Sequence, residues 1–495
     1  MDKAALVATP GLTPTLGFAV MVGLSLFSLA IALLVRRRLV RNTHDFIISD
    51  RKVGFGFGVG SLIAVWTWAM AVMMSSAMTF QWGLSGLFWF VVPNGFAVMA
   101  LIPFTRILRK HMPNGYTISE FITHRFNSSK VASGIVTVTM IFGIILEILI
   151  NLKGTSIVMS SIFGIHWAVA AVVGMVCVLA YSYFGGLWTS VMTATINTLM
   201  LTVPAAIVVS LVYDRIPGGA TAVMSVVGTS NPENLSVMRP DAAAGFGITL
   251  AFGLLAATVA DQTFWQKAWS IRADHVNRTF LWAGALFYPI PIALGMLGLV
   301  GIAFGLTAAD IGGDIAAIGP YVVSHIGLPV ALVVLYVLVI LAACYSTIDG
   351  ASAALASIVA VDVVKRFAPR VSERVLFVVT KISVLIGGTI ALVIVLSGIN
   401  FTTLVLTTYA LKTSILLPLV LAIVWRRTNT LGFVGGIALA ILIGMPLREV
   451  YGELIGTISI LAISGLSVVV GAFLKPDTDF NYAELGAVSS IKAQG

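Results

Sequence analysis

Only 20 Asp and Glu residues occur in this chain of 495, so each can be placed. Nearly all fall in loops or at the ends of apolar runs. Glu147 and Asp349 do not; each lies inside one. Among the bases, Lys412 sits near the middle of its run. Lys153 and Lys381 sit closer to run ends, where a long side chain reaches the interface. An ionisable group at mid-membrane depth costs several kcal/mol unless it is paired or hydrated. Glu147, Asp349 and Lys412 are therefore functional candidates. A structural ion pair is the competing reading for Lys412, with Asp349 or Glu147 as partner. Glu147 and Asn151 stand four apart on one helix face and can share a hydrogen bond.

A second group lies in Leu341-Ala-Ala-Cys-Tyr-Ser-Thr-Ile-Asp-Gly350. Helical spacing puts Ala343, Ser346 and Thr347 on one face. Two hydroxyls and a carbonyl suit a small hard cation such as sodium. Carbonyls from an unwound neighbouring helix would complete the set. The ordinary alternative is a hydroxyl bonded back to the carbonyl one turn earlier. A third stretch, Gly60 to Phe80, is apolar yet carries Trp66, Thr67, Trp68, Ser75 and Ser76. Polar atoms at that depth suit a helix that lines a cavity and unwinds locally, which lipid-facing helices cannot do. A buried bundle helix whose indoles bond to neighbours is the alternative.

The elements that must position these residues are membrane helices. The chain is 59% hydrophobic and 10% charged, with mean hydropathy +1.03. About thirteen apolar runs approach the roughly 20 residues that a helix needs to span a bilayer. Cys177 and Cys344 lie inside such runs, so no disulfide framework is indicated. The first run, Gly17 to Val35, precedes Arg36-Arg-Arg38 without a small-residue cleavage site and reads as a retained span. With the N-terminus outside, the inner loops collect most Lys and Arg, among them Arg51, Arg109, Arg125, Lys267, Arg370 and Arg426. The outer loops keep Lys153, Arg215, Arg239 and Arg448. That bias sets the orientation and places the tail after Lys475 in the cytoplasm. The net charge of +9 is thus no sign of nucleic-acid binding.

Setting aside the first span and the last two leaves about ten, divisible into two blocks of five, the second inverted. Each block opens with an interrupted helix, at Trp66-Thr-Trp68 and at Ala257-Thr-Val-Ala-Asp261. The expected division is 1–52, an extra helix and basic loop; 53–213, the first repeat; 214–243, an outer loop; 244–427, the second repeat; 428–476, two accessory helices; and 477–495, a tail. The fold class is all-α and polytopic.

Four segments then point to a family. Thr117-Ile-Ser-Glu-Phe-Ile-Thr-His-Arg-Phe126, Tyr181-Ser-Tyr-Phe-Gly-Gly-Leu187, Asp261-Gln-Thr-Phe-Trp-Gln-Lys267 and Ala343-Cys-Tyr-Ser-Thr347 occur in this order. Together they resemble motifs of the sodium:solute symporter family along essentially the whole chain. Trp66-Thr-Trp-Ala69, Gly83-Leu-Ser-Gly86 and Phe88-Trp-Phe90 are similar to urea active transporters within it. The resemblance implies a LeuT-type inverted repeat with broken first and sixth core helices. It also implies sodium held by Ala64, Thr67 and Ala343 carbonyls and by Ser346 and Thr347 hydroxyls. Many members carry an Asp where this chain has Ala194, and some carry one at Trp66. Asp349 is the candidate to replace that charge, as a second cation ligand or a proton carrier. Positions that contact sugars in sugar carriers are Leu254 and Ala257 here, which argues against a sugar.

The expected function is secondary active symport of a small solute in the inner or plasma membrane, coupled to Na+. Trp66, Trp68, Gln81 and Trp89 would wall a cavity suited to urea, an amide or a flat heterocycle. The alternatives are proton coupling through Asp349 or Glu147, a carboxylate solute with Lys412 as counter-charge, a membrane sensor, and a passive facilitator. Partners are the bilayer and the solute, with no nucleic acid and no obligatory protein. No Walker-type loop, His-Glu-x-x-His helix or nucleophile elbow marks an enzyme.

Overall fold

The computed structural model describes residues 1–477, 480–488 and 491, and of residue 402 the backbone alone. Among these every regular element is helical, and two isolated bridges, Val7 with Ile326 and Val53 with Ile271, join loops. In chain order the principal helices are α1 (Pro14–Leu39), α2 (Phe55–Trp66), α3 (Ala69–Ala100), α4 (Lys130–Phe163) and α5 (Trp167–Asp214). Then come α6 (Ile248–Val259), α7 (Gln262–Ser270), α8 (Val276–Phe287), α9 (Pro289–Ala303) and α10 (Val330–Ile358). Last are α11 (Glu373–Val395), α12 (Phe401–Val424), α13 (Thr430–Leu439) and α14 (Glu453–Leu474).

Among the described residues 11 helices are long and apolar enough to cross a membrane, against the expected thirteen or so. The difference lies in two long helices that turn on themselves at a glycine. Gly83, inside α3, has φ +62°, and a Cβ on Gly86 would stand 2.0 Å from the Met78 carbonyl oxygen. Residues eight apart in a straight helix are far too distant for that contact, so the chain reverses here. Inside α5 Gly186 has φ +54°, and a Cβ there would lie 2.3 Å from the Phe46 carbonyl oxygen. Only glycine fits either turn. The chain also breaks just ahead of α10. Ile318–His325 is a separate short helix, and Gly327 (φ +74°) and Pro329 interrupt the chain before α10.

Both expected interruptions are present. Between α2 and α3, Thr67 (φ −86°, ψ 62°) and Trp68 (φ −83°, ψ 177°) leave helical geometry. Between α6 and α7, Ala260 (φ −93°, ψ 39°) and Asp261 (φ −137°, ψ 119°) do the same. The breaks face one another: the Trp66 ring meets Phe264 edge-on at 5.2 Å. The helices around them are the most enclosed. Of the apolar stretches containing α4, α10 and α12, 78%, 72% and 72% are buried, against 33% for α1 and α14. The first three are therefore the ones that can hold chemistry out of lipid.

Broken helices expose backbone donors that lipid cannot satisfy. At the first break the Ala69 N–H donates to Asn151 Oδ1 of α4 at 2.8 Å, and Asn151 Nδ2 donates to the Glu147 carbonyl oxygen at 2.8 Å. Asn151→Ala leaves the Ala69 N–H buried and unpaired. It is expected to cost about 1–3 kcal/mol, read as a lower Tm in detergent; an unchanged Tm would refute this role.

Candidate functional site

The Ser346 hydroxyl donates to the carbonyl oxygens of Ala64 and Ala343, both at 3.0 Å. The Thr347 hydroxyl donates to Val65 O at 3.1 Å and to Ala343 O at 3.0 Å. Two hydroxyls and three carbonyls from α2 and α10 thus converge at the first break, all buried. The Thr67 N–H and hydroxyl both turn to Ile63 O, at 2.8 and 2.7 Å. Val65 supplies the carbonyl beside Thr347. All five oxygens are neutral, which suits a weakly held, exchangeable hard cation.

One turn on, Asp349 meets the hydroxyls of α5. Ser182 Oγ donates to Oδ1 at 2.5 Å and Thr193 Oγ1 to Oδ2 at 3.5 Å. The Lys267 ammonium of α7 acts on the carboxylate only through space, and has no hydrogen-bond partner among the described residues. The carboxylate thus meets Thr193, the residue before Ala194.

Lys412 has a different pair of partners. Its ammonium contacts the Glu147 carboxylate and Asp261 Oδ2, the latter at 2.9 Å. All three side chains are buried, with 2%, 6% and 3% exposure. Asp261, assigned from sequence to a span end, is drawn into the bundle because it caps α7. Its Oδ1 accepts the Thr263 N–H at 2.7 Å. Gln262 accepts the Ile118 N–H and donates to Tyr116 O and Ser357 Oγ. Gln266 donates to the carbonyls of Ile47 and Ala353. The segment Asp261–Lys267 thus pins the second break to three other parts of the chain.

The indoles lie around the first break. Trp66 and Trp68 stack at 6.3 Å, and Trp68 meets Tyr409 edge-on. Trp66 Nε1 donates to Asn94 O at 3.0 Å. Trp68 and Trp89 hold buried Nε1 atoms without a partner among the described residues, and Trp89 packs on Gly247. Beyond Trp68 is a cavity of about 180 Å³, lined by Met70, Met74, Gln81, Trp82 and Thr249 among others. Gln81 lines it; Trp66, Trp68 and Trp89 are not among its lining residues.

The basic loops gather at one end of the bundle. Arg51 donates to Asn114 O, Gly115 O and Trp269 O, and Arg109 to Trp269 O and Ile271 O. Burial, and then the neighbouring Arg51, lower the Arg109 guanidinium to about 10, so it stays charged at neutral pH. Burial pushes the Tyr116 phenol up to about 12, which keeps it a donor to Ile491 O. Arg125, fully buried, donates to the carbonyls of Ala422, Trp425, Arg426 and Thr428 at the end of α12 and pairs with Asp477 at 3.0 Å.

Two discontinuous helices facing each other across a bundle, with hydroxyl and carbonyl oxygens converging at the first break, define a LeuT-type membrane transporter. The sequence model of the sodium:solute symporter family matches residues 46–439, and the chain belongs to that family. The fold is shared with a Na+-coupled sialic acid symporter solved in a substrate-bound outward-open state. The TM-score is 0.76 at 18% identity, over 94% of this chain and 99% of that one. Among curated relatives, the urea-proton symporter DUR3 of Oryza sativa subsp. japonica is 22% identical over 471 residues, which is 86% of this chain and 64% of that protein. The probable urea active transporter 1 of Schizosaccharomyces pombe is 27% identical over 317 residues, 59% of this chain and 46% of that protein. The chain therefore spans only part of the length of either.

Lys412→Met would leave the Glu147–Asp261 pair without its cation. Removing one partner of a buried ion cluster costs about 3–5 kcal/mol. A sharp loss of folded protein in fluorescence size-exclusion chromatography is expected, and full retention would show that the cluster is not ionised.

Proposed function

We propose that this protein is a secondary active symporter of the plasma or inner membrane that imports a small, flat, polar solute, urea or a similar amide, with sodium. The observation that carries the sodium assignment is the convergence of Ala64, Val65, Ala343, Ser346 and Thr347 oxygens at the first break. The solute assignment is supported by the urea-transporting relatives and by the small cavity with Gln81 and Trp82 in its wall. Trp68, with an Nε1 unpartnered among the described residues, would donate to the solute carbonyl once a rearrangement brings the two together. Leu254 and Ala257 leave no polar ring contacts for a sugar. Gathering of the basic loops at one end supports the orientation with the N-terminus outside and the basic face in the cytoplasm. Sodium would stabilise the conformer in which the cavity is open, and the solute would bind that same conformer, which is the condition for coupling. The cycle uses no covalent step and no obligatory protein partner.

Uptake of labelled urea into proteoliposomes under an inward sodium gradient tests the reading. Ser346→Ala and Thr347→Val each remove one oxygen. Each should raise the half-saturating sodium concentration roughly tenfold, the equivalent of about 1.4 kcal/mol, without abolishing folding. An unchanged sodium dependence in both would overturn the assignment.

Asp349 is proposed as a second cation ligand, with Ser182 and Thr193 beside it. Asp349→Asn is expected to change the steepness of the sodium dependence. The idea fails if both ion dependence and uptake match the parent protein. Proton coupling, the second reading, is favoured by the Glu147–Lys412–Asp261 cluster.

A further inference from the structure

Glu147, Asp261 and Lys412 hold one more negative than positive charge. The titratable groups that face Glu147 are Asp261, Lys412 and Tyr409. Tyr409 lies one turn before Lys412 on α12, and its hydroxyl is turned to Met70 Sδ. Asp349 belongs to a separate cluster with Ser182 and Thr193. With all three groups ionised, the cluster would bury a net charge of one, which costs several kcal/mol in a low-dielectric interior. A single proton removes it.

Geometry decides which carboxylate carries that proton. Asp261 accepts a backbone N–H from Thr263 and stands at the N-terminus of α7. Both favour its ionised form. Glu147 lies mid-way along α4, with no helix terminus to stabilise its charge and the Lys412 ammonium already shared with Asp261. We propose that Glu147 is a proton-binding site that is loaded while Asp261 is seated on Lys412 and emptied when Asp261 withdraws.

The three residues differ in what holds them. Glu147 and Lys412 sit inside continuous α-helical turns of α4 and α12. Asp261 sits in the non-helical pair between α6 and α7, where backbone rotation can move it. When Asp261 leaves, Lys412 faces Glu147 alone. A one-to-one pair is neutral only if Glu147 is ionised, so its carboxyl gives up H+ to water in the opened cavity. Return of Asp261 brings the second negative charge back, and Glu147 takes up a proton. The proton is thereby tied to the position of the second broken helix. The proposal rests on the transport reading above, and it holds whichever solute is carried.

Infrared spectroscopy of the purified chain tests it without any solute. The carbonyl stretch of a protonated, buried carboxyl group should be present at neutral pH and titrate away in alkali. Glu147→Gln should lose that band. Asp261→Asn should lose it as well, although Glu147 is intact, because Glu147 must then ionise to pair with Lys412. This second variant separates the proposal from a fixed ion cluster. Absence of the band in the parent protein, or its survival in Asp261→Asn, would overturn it. In proteoliposomes an imposed acid-outside gradient should stimulate urea uptake by the parent and lose that stimulation in Glu147→Gln. Equal stimulation of both would also overturn it. No urea uptake by the parent protein would refute the solute assignment alone, with the infrared result still deciding the proton site.

Discussion

A membrane helix that breaks must find partners for the backbone groups it frees, because the lipid core offers none. Much of what is distinctive in this chain answers that requirement. At the first break Asn151 takes the Ala69 N–H, and the hydroxyls of Ser346 and Thr347 take the carbonyls of Ala64 and Val65. At the second, the Asp261 side chain caps α7. Ser346, Thr347 and Asp261, which satisfy the breaks, are also residues of the proposed ion and proton sites. Structure and proposed coupling therefore depend on the same atoms.

Charge is placed with similar economy. Two acidic centres lie deep in the bundle among the described residues. Asp349 is set among α5 hydroxyls, while Glu147 and Asp261 share Lys412. The second centre joins Asp261, in the break between α6 and α7, to the continuous helices α4 and α12. Movement of the second broken helix cannot leave that charge balance untouched. That gives the proposed proton site a physical route to the position of that helix.

The broken helices were legible because polar residues interrupt otherwise apolar runs at Trp66-Thr-Trp68 and before Asp261. Helical spacing alone put Ala343, Ser346 and Thr347 on one face, which is where they lie. What sequence could not supply is which residue of another helix each group meets. Thr347 meets the Val65 carbonyl, which the spacing did not single out, while the Thr67 hydroxyl closes its own helix turn through Ile63 O. Asp261 was hidden because a position at the edge of an apolar run looks solvated, whereas a broken helix brings that edge to the centre. The reversal at Gly83 is visible only through its backbone angle and its neighbours, since glycine is common in this chain.

The most direct test of coupling is thermal stability of the purified chain with urea, small amides and flat heterocycles, in sodium and in potassium. Coupled binding predicts that one of these solutes raises the Tm in sodium and does so far less in potassium. An identical solute effect in both salts would contradict a shared sodium–solute conformer. No solute effect in either salt would remove the support for the proposed cavity.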